Sequence, residues 1–123
     1  MTIKDFRELD VYRTAFAAAM EIFEFTKAWP ADERFSLTSQ IRRSSRSVCM
    51  NIAEAWRKRR YPAAFCSKLS DSDAEAGETL VSLDFALQCG YMSSDTYRRL
   101  STFYNRICSQ IVTMINQHEK WCK

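Results

Sequence analysis

Glycine and proline are scarce, with two of each in 123 residues. That scarcity excludes a sheet-rich fold with many tight turns, because these residues punctuate such folds. Histidine occurs once, as His118. A single histidine excludes a di-iron bundle, which needs Glu-x-x-His pairs on two helices, and a zinc site built from close Cys and His pairs. No apolar run approaches the ~20 residues that span a bilayer, so no membrane association is expected. The N-terminal stretch MTIKDFRELD carries acids and no apolar centre, unlike a secretory signal. The two glycines are isolated, which excludes a glycine-rich phosphate loop. The five cysteines, Cys49, Cys66, Cys89, Cys108 and Cys122, are odd in number and never closer than 14 positions. They read as reduced, small apolar side chains in the core of a cytoplasmic protein. No residue is marked out as catalytic, cofactor-binding or metal-ligating, and a non-enzymatic protein is expected.

What is present is long amphipathic periodicity. A chain of this length forms one domain, 1–123, and buries roughly two thirds of its unfolded surface. Leu9, Tyr12, Phe16, Ala19, Phe23 and Thr26 advance by threes and fours. They predict a helix over about 8–28, ended by Trp29-Pro30. Leu37, Ile41, Ser45, Val48, Ile52 and Ala55 predict a second helix over 37–60, with Ser36 as its N-cap. Phe65, Leu69, Ser72, Ala76, Leu80, Leu83 and Leu87 predict a third over 62–89. Pro62 suits its first turn and Gly90 its left-handed stop. Gly77 in its interior costs about 1 kcal/mol against alanine, and close packing would account for it. Tyr97, Leu100, Tyr104, Ile107, Ile111, Met114 and His118 predict a fourth over 94–118. Ser93 or Ser94 caps it, and residues 119–123 are expected to fray. Four such helices with short connections predict an all-α, up-down-up-down antiparallel four-helix bundle. Second apolar rows, such as Phe103, Cys108, Val112 and Ile115, exceed one bundle seam and suggest subunit contacts.

The net charge of +3 conceals an uneven distribution. Residues 42–60 hold Arg42, Arg43, Arg46, Arg57, Lys58, Arg59 and Arg60 against Glu54 alone, a net of +6. Residues 61–90 hold Lys68 against Asp71, Asp73, Glu75, Glu78 and Asp84, a net of −4. Two readings stand. The arginines bind a polyanion, because guanidinium donates paired hydrogen bonds to phosphate and Trp56 and Tyr61 add stacking surfaces. Alternatively they pair with the acidic face of the third helix, within or between subunits. Arg42, Arg43 and Arg46, deep in the helix, are assigned to packing and pairing. Arg57, Lys58, Arg59 and Arg60, at its end, are assigned to polyanion contact. Asn51 beside the apolar seam reads as a cross-helix hydrogen-bonding residue or as a ligand contact.

One set of residues resembles a known family. Phe6, Leu9, Val11-Tyr12 and Ala15 are followed by Leu37, Gln40-Ile41-Arg42-Arg43, Ser47-Val48 and Asn51-Ile52-Ala53-Glu54. Phe65, Leu69, Glu75, Glu78-Thr79, Leu83, Ala86 and Gly90-Tyr91 continue the pattern over nearly the whole chain. It resembles the four-helix bundle proteins known as 23S rRNA intervening-sequence proteins, or S23 ribosomal proteins. The structural signature is Gln40, Ser47, Asn51, Glu54, Glu75 and Glu78. Ala55 stands where the family usually has glycine, and Ala74-Glu75 where many members have Gly-Ser, which marks a subgroup. The resemblance implies left-handed bundles that assemble as ring-shaped homopentamers. It also implies relatives in diversity-generating retroelements that bind nucleic acid and a reverse transcriptase through a basic surface. The ribosomal label reflects genetic location, and no activity is established for the family. The expected function is RNA or DNA binding through the basic surface of the second helix. The alternative is a scaffold or adaptor for a polymerase-like protein, with the arginines serving salt bridges.

Overall fold

The structure, a computed structural model, describes residues 2–123. Four long helices carry the chain: α1 (Asp10–Thr26), α2 (Leu37–Arg57), α3 (Pro62–Gln88) and α4 (Ser94–Asn116). A short α5 (His118–Trp121) follows, and there is no strand among the described residues. Each helix packs on its neighbour in sequence, and α4 packs back on α1. The register is antiparallel throughout. Ser44 meets Thr79 while Val48 meets Ser72 across α2 and α3. Arg42 reaches Thr26 across α1 and α2, Tyr97 reaches Asp84 across α3 and α4, and Arg99 pairs with Glu21 across α4 and α1.

The predicted stripe of α2 is the buried one: Leu37, Ile41, Ser45, Val48, Ile52 and Ala55 all lie in the core. So do Leu100, Tyr104, Ile107, Ile111 and Met114 of α4, and Phe65, Leu69, Ser72, Ala76 and Leu83 of α3. On α1 the expectation holds at Leu9, Ala19 and Thr26, and the inward stripe otherwise runs through Val11, Ala15, Ala18 and Ile22. Tyr12 and Phe23 are half-buried and Phe16 is 51% exposed. Small alanines fill the inward side of α1, and the bulky aromatic row lies on the shoulder facing α2. Counting steps from the largest residues selects that shoulder, because both rows are apolar.

Helix ends follow local chemistry. Before α1, a 3-10 turn spans Phe6–Glu8. The Glu8 carboxylate accepts from the Asp5 N–H at 2.9 Å, closing a capping box with Asp5, so Glu8 is spent ahead of the helix and α1 starts at Asp10. Its last turn tightens through i to i+3 bonds at Lys27, Ala28 and Trp29, and the helix proper stops at Thr26 rather than Ala28. Ser36 does not cap α2 with its hydroxyl, which donates to Glu33 Oε1 at 2.6 Å. Glu33 is the cap: the same oxygen accepts from the Leu37 N–H at 3.3 Å, and Oε2 accepts from the Tyr91 hydroxyl at 2.8 Å. Pro62 opens α3, and Gly90 at φ 78° closes it with N–H bonds from Gly90 to Leu87 and from Tyr91 to Ala86. Ser93 caps α4 by accepting from the Thr96 N–H at 3.1 Å. α4 ends at Asn116, not His118, and residues 118–121 do not fray. Their α5 turn seats Trp121 edge-on against Trp56, with ring centroids 6.4 Å apart.

Close packing does not explain Gly77: a methyl group built there meets nothing within 4 Å. Gly77→Ala should therefore raise the unfolding free energy by about 1 kcal/mol, measured by urea denaturation. The donors of Ser36, Tyr91 and Leu37 hold the Glu33 carboxyl below its ordinary 4.5. A carboxyl lowered in the folded state stabilises above its unfolded value and ceases to do so as pH falls through the folded one. Glu33→Ala should lower the melting temperature at pH 7, and the gap to the native chain should narrow below pH of about 4.

Candidate functional site

The α2–α3 contact sorts the charges. Ser44 Oγ and Thr79 Oγ1 lie 2.8 Å apart in the buried seam, and Ser72 Oγ donates to the Val48 carbonyl at 2.8 Å. Small side chains bring the two helices close, so long flanking side chains can reach across. Arg43 does so, with Nη1 3.0 Å from Glu75 and Nη2 3.1 Å from Glu78. Lys68 of α3 answers Glu54 of α2 at 3.1 Å. The Glu78 carboxyl beside Glu75, the Ser47 hydroxyl and the Arg43 guanidinium hold Glu75 below its ordinary range. Asn51 does not cross to another helix; its amide donates to Ser47 Oγ within α2 at 3.3 Å. Gln40 is exposed.

Of the three arginines assigned to pairing with α3, Arg43 alone pairs there. Arg42 and Arg46 turn the other way, toward α1. Arg42 Nε donates to Thr26 Oγ1 at 2.8 Å, and its guanidinium stands 4.9 Å over the Phe23 ring. Arg46 lies 5.7 Å from the centre of the same ring. The helical period explains the split: positions 42 and 46 are one turn apart, and 43 lies about 100° round the axis. Arg34 joins these three on the rim of an open depression of about 470 Å³.

The terminal cluster sits at a corner. The residue before Pro62 must be extended, and Tyr61 is, at φ −117° and ψ 99°. α2 therefore stops at Arg57, not Arg60, and Lys58 leaves helical geometry at φ −102° and ψ 12°. The Tyr61 N–H donates to the Lys58 carbonyl at 2.9 Å and closes the turn. Arg57, Lys58 and Arg60 are exposed and Arg59 half-buried. Among the described residues none of the four forms an ion pair. Arg57, Arg59, Arg60, Tyr61 and Lys123 surround a recess of about 310 Å³.

Trp56, expected as a stacking surface, is only 6% exposed and covered by Arg59, whose guanidinium lies 4.1 Å over the indole. Tyr61 is 60% exposed. Sequence reading missed Lys120 and Lys123, because it placed them in a frayed tail. The available signal was Trp121, a large apolar ring that a tail of polar residues would not carry unless it docked. All five cysteines are free, and burial pushes the Cys49 thiol up to about 11. Among the described residues no three metal-binding side chains converge, and no helix is long and apolar enough to cross a membrane.

Fold and surface define a helical-bundle protein with an unpaired basic corner at one end. The family described as 23S rRNA-intervening sequence protein matches residues 7–113, and the chain belongs to it. A crystal structure of a protein of unknown function from the S23 ribosomal protein family of Bacteroides thetaiotaomicron shares the architecture. It is 25% identical with a TM-score of 0.78, over 86% of this chain and 95% of that one. No curated protein matches the chain. Ala55 is fully buried in the core cluster.

The exposed Arg43 pairs should contribute little, so Arg43→Ala should cost no more than about 1 kcal/mol in urea unfolding. Thr79→Val, which removes the cross-helix partner of the buried Ser44 hydroxyl, should cost more, about 1 to 2 kcal/mol.

Proposed function

We propose that the protein is a non-enzymatic, cytoplasmic RNA- or DNA-binding bundle whose contact surface is the α2–α3 corner. The observation that carries this reading is that four successive bases, Arg57, Lys58, Arg59 and Arg60, stand at an exposed turn without an acidic partner. Of the acids of α3, Asp71 is engaged by Lys68, and Glu75 and Glu78 by Arg43. A cation cluster that no internal acid neutralises leaves a positive potential at the surface, which supports contact with an external anion. Arginine favours phosphate, and phosphate contacts carry no sequence information, so binding is largely sequence-independent and weakens steeply with salt. Arg42 and Arg46 extend the basic surface along α2.

We also propose a homo-oligomer, and the family resemblance supports a ring-shaped homopentamer as its form. An apolar strip between α1 and α2 supports subunit contact: Phe16, Met20 and Met50 are 51%, 48% and 60% exposed. A ring repeats the basic corner and multiplies weak contacts through avidity. The same strip favours a second reading, in which it docks a protein partner such as a polymerase-like enzyme and the bundle is an adaptor.

Light scattering on a sizing column, paired with RNA and DNA gel shifts at several salt concentrations, tests both parts. The expected result is an assembly larger than one chain that shifts both nucleic acids at low salt. A monomer that shifts neither overturns the proposal. Replacing Arg57, Lys58, Arg59 and Arg60 together by Gln should leave assembly intact and flatten the salt slope by about 3 to 4. Loss of assembly in that variant would make the cluster structural.

A further inference from the structure

The corner holds more than charge. The recess around Arg57, Arg60 and Tyr61 adjoins a second, of about 400 Å³, whose walls include Trp56, Trp121 and Lys120. Arg59 and Lys123 line both. Arg59 is fixed between them. Its guanidinium lies 4.1 Å over the Trp56 ring, and Nη1 donates to the Trp56 carbonyl at 2.9 Å. Trp56 is itself held edge-on by Trp121. One face of the guanidinium plane is thus occupied by indole, and the half-buried residue presents its remaining surface to the two recesses. A flat, delocalised cation immobilised in this way is a platform for a second flat ring. The cations beside it are unpaired and suited to a phosphate.

We propose that the α2–α3 corner binds one unpaired nucleotide of a single strand, its phosphate among Arg57, Arg60 and Lys123 and its base laid on the Arg59 guanidinium. This rests on the nucleic-acid reading above and narrows it from any polyanion to single strands. A duplex keeps its bases stacked inside and can offer the corner only phosphates. Pyrophosphate can fill the cationic recess but has no base for the platform. Because the base is held by its face, the site is tolerant of sequence. The exposed Tyr61 ring stands beside the phosphate recess and can meet a neighbouring base.

Fluorescence anisotropy with the full chain tests this. The probes are a labelled 12-nucleotide single-stranded RNA, the same sequence as a blunt duplex, and unlabelled inorganic pyrophosphate as competitor. The single strand should bind about tenfold more tightly than the duplex at equal salt. Arg59→Lys keeps the charge and loses the plane, so it should weaken single-strand binding about tenfold, leave the salt slope unchanged and spare the duplex. Pyrophosphate should compete at millimolar levels with both forms. Equal affinity of the native chain for single strand and duplex would overturn the proposal while leaving polyanion binding intact. Equal loss of both in Arg59→Lys would reduce Arg59 to one more phosphate cation, which overturns it too. Binding of neither form at low salt would remove the underlying reading. If Arg59→Lys folds poorly, the native preference for single strand over duplex decides alone.

Discussion

The close approach of α2 and α3 is the constraint on which the rest depends. Serine and threonine line the contact where leucine would hold the helices apart, and their hydroxyls are satisfied across it by Ser44 with Thr79 and by Ser72 with the Val48 carbonyl. A buried hydroxyl without a partner costs 1 to 3 kcal/mol, so these pairs hold register as well as distance. A slide of one turn would break both cross-helix contacts, although Ser44 and Thr79 also bond the Ile41 and Glu75 carbonyls of their own helices. The seam therefore sets which α2 side chains reach α3 and which are turned away from it.

That division determines what the basic helix does. Arg43 lies on the edge that meets α3 and is absorbed by Glu75 and Glu78. Arg42 and Arg46 lie on the opposite edge and rest on Phe23 of α1, where an aromatic face attracts a cation without neutralising its charge. Arg57 ends the helix, and Lys58, Arg59 and Arg60 fall beyond it, where the chain turns into Pro62. One stretch with a net charge of +6 thus resolves into a paired residue, a ring-supported pair and an unpaired corner. The exposed aromatic shoulder of α1 follows from the same economy of space, because alanines facing inward leave Phe16 nowhere to go but out.

Much of this was legible in the residues. The predicted stripe of α2 is buried throughout, and those of α3 and α4 are buried except at Leu80, Leu87, Tyr97 and His118, which are half-buried. On α1 the stripe was misread at Tyr12, Phe16 and Phe23, where size was taken as the guide to burial and alanines face inward instead. The cap of α2 was misassigned since a serine in the right place is the ordinary acceptor for the first N–H groups, whereas Glu33 accepts from within a preceding turn that also binds Tyr91 from 58 residues away. Such long-range partners leave no local trace. The corner's residues were all identifiable by type. Their grouping was not, because Lys120 and Lys123 arrive there only through the docking of Trp121. Nor could the sequence separate Arg42 from Arg43 in role, since the assignment depends on which side of α2 each neighbour packs.

The Arg57–Pro62 turn has one further consequence. It joins the carboxyl end of α2 to the amino end of α3, and helix dipoles place about half a negative charge at the first and half a positive charge at the second. The two nearly cancel where they meet. Many anion sites take their field from a helix N-terminus, a backbone property that no substitution can remove. Here the local potential belongs to side chains alone. It is adjustable one residue at a time while the backbone stays the same.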